Sequence, residues 1–317
     1  MDARLVRAVA PPEGDDFAAC LAEGLSRSLK EIPCKFFYDQ QGSHLFDAIC
    51  ALPEYYQTRT ELGLLHRHAR EIAALIGPGA EIVEFGAGSL TKVRILLDAL
   101  QGPAAYTPLD ISGDYLGGVV RTLAADYPAL AMRPLVADFT MPLAIPPLPG
   151  APRRAGFFPG STIGNFRPET ADCLLRRMRA SLNGGGLLVG VDLVKDPRRL
   201  HAAYNDSAGI TAAFNKNLLA RANRELDAGF DLDGFAHYAP YNSAAHRIEM
   251  YLVSLKRQSV EFAGRRFDFV QGEPIHTEDS HKYTIEAFRE LAARAGFRPR
   301  AVWTDEERLF SLHWLEN

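Results

Sequence analysis

The chain has 317 residues, 47% apolar and 23% charged, with 35 Lys+Arg against 39 Asp+Glu and a formal net charge of -4. That length suits about two domains of ~150 residues, or one α/β domain with an insertion, and the composition excludes collagen-like, coiled-coil and wholly disordered chains. The balance of charge supplies no basic field for a phosphate backbone, so no nucleic-acid partner is expected. No run of about 18 apolar residues and no secretory N-terminus occurs, so the expectation is a cytoplasmic protein that does not enter the membrane. Cys20, Cys34, Cys50 and Cys173 show neither a CxxC pair nor zinc-ligand spacing, which predicts free thiols and no metal.

In chain order, residues 58–77 carry apolar side chains at Leu62, Leu65, Ala69, Ile72, Leu75 and Ile76. This near-3.6 period predicts an amphipathic helix, capped at Thr58 or Thr60 and stopped by Gly77-Pro78. A strand at 81–85 runs into the loop Gly86-Ala87-Gly88-Ser89 and a helix at 90–100. The rhythm repeats with strands at 105–110, 132–138, 155–159 and 187–192 and helices at 115–127 and 168–182. Five apolar strands alternating with helices predict a parallel sheet covered on both faces. The Pro/Ala/Leu-rich run 141–152 reads as a loop.

Beyond 195 the pattern changes to one long helix at 201–226, then strands at 245–255, 259–262 and 266–270, the last two forming a hairpin about Ala263-Gly264-Arg265. A helix at 284–295 and antiparallel strands at 298–304 and 308–315 close the sheet. The division is therefore a doubly wound core of 61–194 and 284–317, and a second subdomain of 1–60 and 195–283.

Strand, EFGAGSLTK, then helix is the turn at which open α/β sheets bind nucleotides. A dinucleotide fingerprint needs a glycine at position 91, where Thr91 stands, and no GxxxxGK[ST] is present. What remains suits a ligand without a phosphate, such as S-adenosylmethionine. Asp110 ends the next strand, 24 positions after Gly86, where a carboxylate can grip ribose hydroxyls. Asp138 with Phe139 suits adenine, the acid accepting from the amine and the ring packing on the base. Each aspartate alone reads equally as a strand-end or capping residue; three features at three successive strand ends favour the cofactor.

The segments KFFYDQQGSHLFDAICALPEYYQTRTE, EFGAGSLTK, GSTIGNF, AYNDSAGITAAFNKNLL, HRIEMYLVS and TEDSHKY, in this order, resemble the histidine Nα-methyltransferases of ergothioneine biosynthesis. The resemblance implies a Rossmann-like class I methyltransferase core with a second substrate-binding subdomain, and three S-adenosylmethionine-dependent methylations of the α-amine of L-histidine to give hercynine; a monomer is expected. It implies that Gly86, its loop and Lys92 surround the methionyl part of the cofactor, with Asp110 at the ribose and Asp138 and Phe139 at the adenine. It further implies that Asn165 and Tyr204 bind the α-carboxylate, with Asn165 and the Gly160 backbone near the amine and Tyr38 close to the amine and methyl group. Tyr56, Glu278 and Ser280 would recognise the imidazole, with Met250 lining its pocket. His281, between Ser280 and Lys282, departs from the family's pattern beside the specificity residues, so another amino acid or amine, such as a tryptophan derivative, stays open as substrate.

The chemistry suits these residue types. Methyl transfer is an in-line displacement that asks the protein mainly to align a neutral amine. An α-amine is mostly protonated at neutral pH, so its proton must leave; Tyr38 is a candidate relay, or a hydrogen-bonding and cation-facing ring. An imidazole needs an acceptor and a donor, which Glu278 and Ser280 offer at i, i+2 on one face of an extended segment. Against these stand plainer readings: Tyr55-Tyr56 as a core aromatic pair, Tyr204 as a packing residue, Met250 as core filler, and His276, Glu278 and His281 as an imitation of a metal cluster.

Overall fold

The computed structural model describes residues 6–7, 17–88, 90–150 and 153–317. Ser89 of the glycine loop, the last two residues of the 141–152 loop, and residues 1–5 and 8–16 of the expected second subdomain lie outside the described residues. The chain forms two compact units: Met1–Ala10, Gln57–Val194 and Lys282–Asn317 make one, Pro11–Tyr56 and Lys195–His281 the other. The breaks at 56/57, 194/195 and 281/282 compare with the expected 60/61, 194/195 and 283/284.

The first unit is built on one sheet whose strands lie in the order Val6–Arg7, Leu135–Val136, Ala105–Asp110, Glu81–Phe85, Arg154–Phe158, Gly186–Asp192, Phe310–Glu316 and Arg298–Thr304. Neighbours are parallel up to Gly186–Asp192 and antiparallel beyond it. The reason is burial on both faces. Val83 and Phe85 pack with Leu174, Leu175, Met178 and Phe288 on one side, and Ile82 packs with Leu64, Leu65, Val93 and Leu96 on the other, so successive residues feed opposite cores. Glu81–Phe85 pairs with Ala105–Asp110 on one edge and Arg154–Phe158 on the other. Its carboxyl end is thus the switch point where the order of the sheet reverses, the place such sheets use for ligands.

The second unit is an antiparallel sheet. Arg247–Ser254 pairs with Tyr241–Asn242, Phe235–Tyr238 and Pro274–His281, and Lys30–Glu31 lies parallel along the last. Helices Phe17–Ser26, Gln40–Cys50, Pro197–Tyr204 and Ile210–Leu226 belong to it. The hairpin Gln258–Phe262 and Arg265–Phe269 turns through Ala263 and Gly264, both at positive φ (50° and 69°), as a two-residue turn matched to strand twist requires.

Three expectations need correction. The helix at 201–226 is two helices, because the Asp206 carboxylate accepts from the backbone N–H of Ile210 and of Thr211, each at 2.8 Å, and Gly209 turns left-handed. The strand at 132–138 is two short pieces, Ala131–Met132 and Leu135–Val136, separated at Pro134, which has no N–H for a ladder. Val6–Arg7 extends the parallel sheet rather than the second unit. Among the described residues no helix is long and apolar enough to cross a membrane.

Candidate active site

In the parallel-sheet unit, strand ends set the positions of the polar groups. Gly86 sits at φ 78°, and its N–H and that of Ala87 both donate to Leu109 O, at 2.9 and 2.8 Å. A Cβ at Gly86 would stand 3.4 Å from the Phe139 ring, so the glycine admits both the turn and the aromatic. Phe139 is held edge-on by Phe158 and Phe166. Asp138 accepts from the Thr140 N–H at 2.8 Å. Asp110 is half-buried by surface yet surrounded deeply enough that desolvation pushes its carboxyl up to about 6, against the lowering effect of the Ser112 and Ile111 amides. Glu84, which opens the glycine motif, is buried beneath Tyr106, whose hydroxyl donates to it. Burial pushes its carboxyl up to about 8, with the Tyr106 hydrogen bond and Lys92 pulling the other way.

Lys92 and Gly160 are brought together by a residue that pattern reading passed over. Glu61 is fully buried, pairs with Lys92 Nζ at 2.6 Å, and accepts the Gly160 N–H at 3.0 Å on each oxygen. A Cβ on Gly190 would fall 2.2 Å from Glu61 Oε1, so that strand position must be glycine for the acid to fit. Its signal was present: a lone acid at i, i+3, i+4 spacing with the buried Leu64 and Leu65. Gly160 and Ser161 are consecutive left-handed residues at φ 80° and 59°, leading into the turn Thr162–Asn165. Ser161 Oγ accepts from Asp192 N at 2.9 Å, and Asp192 in turn pairs with Lys282 at 2.8 Å, both side chains fully buried. Gln57 Nε2 reaches the same carboxylate at 3.4 Å.

These groups fit S-adenosylmethionine by donor chemistry. Two carboxylates at successive strand ends, an aromatic beside the second and an open glycine turn suit hydroxyls, an amine and a ring, and the nearest cation already answers a buried acid rather than a phosphate.

In the antiparallel unit the candidate residues Met250, Glu278 and Ser280 lie on one face of the sheet. Met250 stands opposite Glu278, and Ile248 opposite Ser280. The register slips between Met250 and Tyr251, leaving Thr277 as an extra residue whose Oγ1 donates to Met250 O at 3.1 Å. This bulge moves Glu278 and Ser280 onto the face shared by Ile275 and the buried Ile248, Met250 and Leu252. His276 and His281 pair with Tyr251 and Arg247 and so occupy the opposite face, which dissolves the metal reading of His276, Glu278 and His281. Among the described residues no group of three metal-ligating side chains exists.

Tyr204, the last residue of Pro197–Tyr204, places its hydroxyl 2.7 Å from Ser280 Oγ. Tyr55 is buried and its phenol is raised well above 10, first by burial and then by Tyr204, Cys50, Tyr38 and Glu278, which locates those groups around it. Cys34 is pushed up to about 12 by burial and by Glu278, so it stays a thiol. The Tyr38 ring is gripped edge-on by Phe46 and Phe214, at 5.8 and 5.9 Å between centroids. Tyr56 is buried; Lys195 donates to its oxygen at 2.7 Å and lies 4.6 Å over its ring, a contact that nothing in the sequence pattern signalled.

Glycine loop, switch point and strand-end acids define a class I S-adenosylmethionine-dependent methyltransferase. The chain belongs to the family described as "Histidine-specific methyltransferase, SAM-dependent", whose profile matches residues 17–317. It is 42% identical to the histidine N-alpha-methyltransferase of Mycolicibacterium smegmatis, with 91% of each chain covered. Against the enzyme of that name from Mycobacterium tuberculosis it is 40% identical over the same shares. The 4-dimethylallyltryptophan N-methyltransferase of Epichloe festucae var. lolii is 26% identical, with 92% of each chain covered.

Proposed function

We propose that the chain transfers three methyl groups in succession to the α-amino nitrogen of L-histidine, giving hercynine for ergothioneine biosynthesis. The observation that carries this reading is the bulged strand, which presents a carboxylate and a hydroxyl two residues apart on one buried face beside Met250. Imidazole has one ring N–H and one ring acceptor, which Glu278 and Ser280 match; an indole has an N–H alone and offers no ring acceptor to the hydroxyl pair of Ser280 and Tyr204.

When bound, S-adenosylmethionine supplies an electrophilic methyl on a sulfonium. Gly86 and its loop, with Lys92, would hold the methionyl part, Asp110 the ribose hydroxyls, and Asp138 and Phe139 the adenine. Asn165 and Tyr204 would take the substrate carboxylate, and Tyr56 would complete the imidazole set, steadied by the Lys195 ammonium. The Gly160 N–H is held by Glu61, so the Gly160 group that suits an amine is its carbonyl oxygen. From an ammonium to a trimethylammonium, three protons leave and three S-adenosylhomocysteines form, so each cycle needs a proton taken from nitrogen. Phe46 and Phe214 pack edge-on against Tyr38 and hold its ring in place. That packing supports Tyr38 as a ring face for the growing cation more than as a base.

The test is product analysis across the twenty amino acids. Histidine is expected to yield S-adenosylhomocysteine together with singly, doubly and triply methylated products by mass spectrometry. Turnover of a different amine with histidine inert would sink the reading.

A further inference from the structure

We propose that His276, Asp279 and Arg247 are positioning residues for substrate recognition: on the reverse face of the strand, they lock the bulge that aims Glu278 and Ser280. The inference rests on the histidine reading only for which substrate feels the change.

In a regular strand, residues three apart point to opposite faces and cannot touch. His276 and Asp279 are three apart, yet His276 Nε2 lies 3.0 Å from Asp279 Oδ1, because the extra residue Thr277 returns both to one side. The contact therefore exists only while the bulge exists. Arg247 Nε reaches the same Asp279 oxygen at 3.2 Å from the neighbouring strand and also donates to Glu249 at 2.8 Å. Glu249 is in turn held by Tyr251 Oη and Asn242 Nδ2, at 2.9 and 3.0 Å. The His276 ring packs edge-on against Tyr251 at 5.3 Å, and its carbonyl accepts from Ile32 N at 2.9 Å, which fixes the residue where the bulge begins. Asp279 is almost wholly buried; against that burial, the hydrogen bond from His276 and the charges of His276, Arg247 and His281 lower its pKa, so it stays an acceptor.

Without the staple, the two-to-one pairing at Thr277 competes with one-to-one pairing, and a slip of one residue exchanges the faces of everything beyond it. Glu278 and Ser280 would then spend part of their time on the side now held by His276 and Asp279. Neither His276, Asp279 nor Arg247 needs to touch the substrate for this to matter.

His276→Phe keeps the ring against Tyr251 and removes the nitrogen; His276→Gln keeps a donor. The expected result for His276→Phe is a rise in KM for histidine of about tenfold, with KM for S-adenosylmethionine changed less than about twofold and recovery in His276→Gln. Amide hydrogen exchange on the full chain should show faster exchange in 274–281 of His276→Phe and no change in 186–192. Unaltered exchange in 274–281, or equal rises in both KM values, overturns the proposal. Because the exchange arm needs no substrate, failure of wild type to methylate histidine would sink the functional reading alone.

Discussion

The parallel-sheet unit places its polar groups where strands end, and the antiparallel unit places them along a strand's side. At a strand end the position follows from topology: Asp110 and the glycine turn stand where any doubly wound sheet puts its carboxyl edge. On a strand face the position follows from register, and one extra residue, Thr277, decides which side chains look inward. The first arrangement is robust to local change, which would suit the S-adenosylmethionine binding proposed for Gly86 and Asp110. The second can be retuned in single steps, which would suit the substrate recognition proposed for Glu278 and Ser280.

The largest effect that separates the two is on stability. Glu61→Ala strands the Lys92 ammonium in a buried position and removes the acceptor of the Gly160 N–H; a loss of about 3 kcal/mol is expected in urea unfolding. A loss below about 1 kcal/mol would mean that the pair is not what holds the 160–165 turn. Next come the ligand constants. Glu278→Ala is expected to raise KM for histidine at least about tenfold and leave cofactor binding within about twofold, whereas Asp110→Ala should do the reverse. If either variant moved both constants alike, the division of labour between strand end and strand face would fail.

A finer cut uses pH. Burial raises Asp110 from 3.8 to about 6, so its acceptor oxygens are lost as pH falls through 6, and cofactor affinity measured by calorimetry should drop with it. Asp110→Asn should bind more weakly with a flat profile over that range. The smallest effect concerns Glu84. Its folded-state pKa of about 8 lies above the ordinary 4.5, so its contribution to stability is complete below 4.5 and is lost as pH rises through 8. Thermal melts should therefore show Glu84→Gln gaining on wild type between those limits and level above them.

Legibility in the sequence followed the same division. The strands Glu81–Phe85 and Ala105–Asp110 are readable to the residue, despite Glu81, Glu84 and Thr107, because turn residues bracket them: Gly79 and Gly86 around the first, Gly102-Pro103 and Ser112-Gly113 around the second. The strand Pro274–His281 has no strand pattern of its own, since PIHTEDSH carries polar groups toward both sides and shows no alternation. Glu278 and Ser280 come from the resemblance alone; their i, i+2 spacing agrees with it, but the bulge that sets their face leaves no mark in composition. Buried pairs such as Glu61 with Lys92 and Asp192 with Lys282 join residues 31 and 90 positions apart, a distance that periodicity cannot bridge. The break at Asp206 was hidden for a different reason: AYNDSAGITAAF continues a helical rhythm on either side of a cap.

The bulge makes the segment 274–281 intolerant of changes in length in a way that substitution tables do not reveal. Dropping or adding a single amino acid there inverts the parity of the remainder, while a change of two preserves it. Anyone grafting a new specificity onto this scaffold should treat the strand as having an odd-or-even count to respect, and exchange side chains in place.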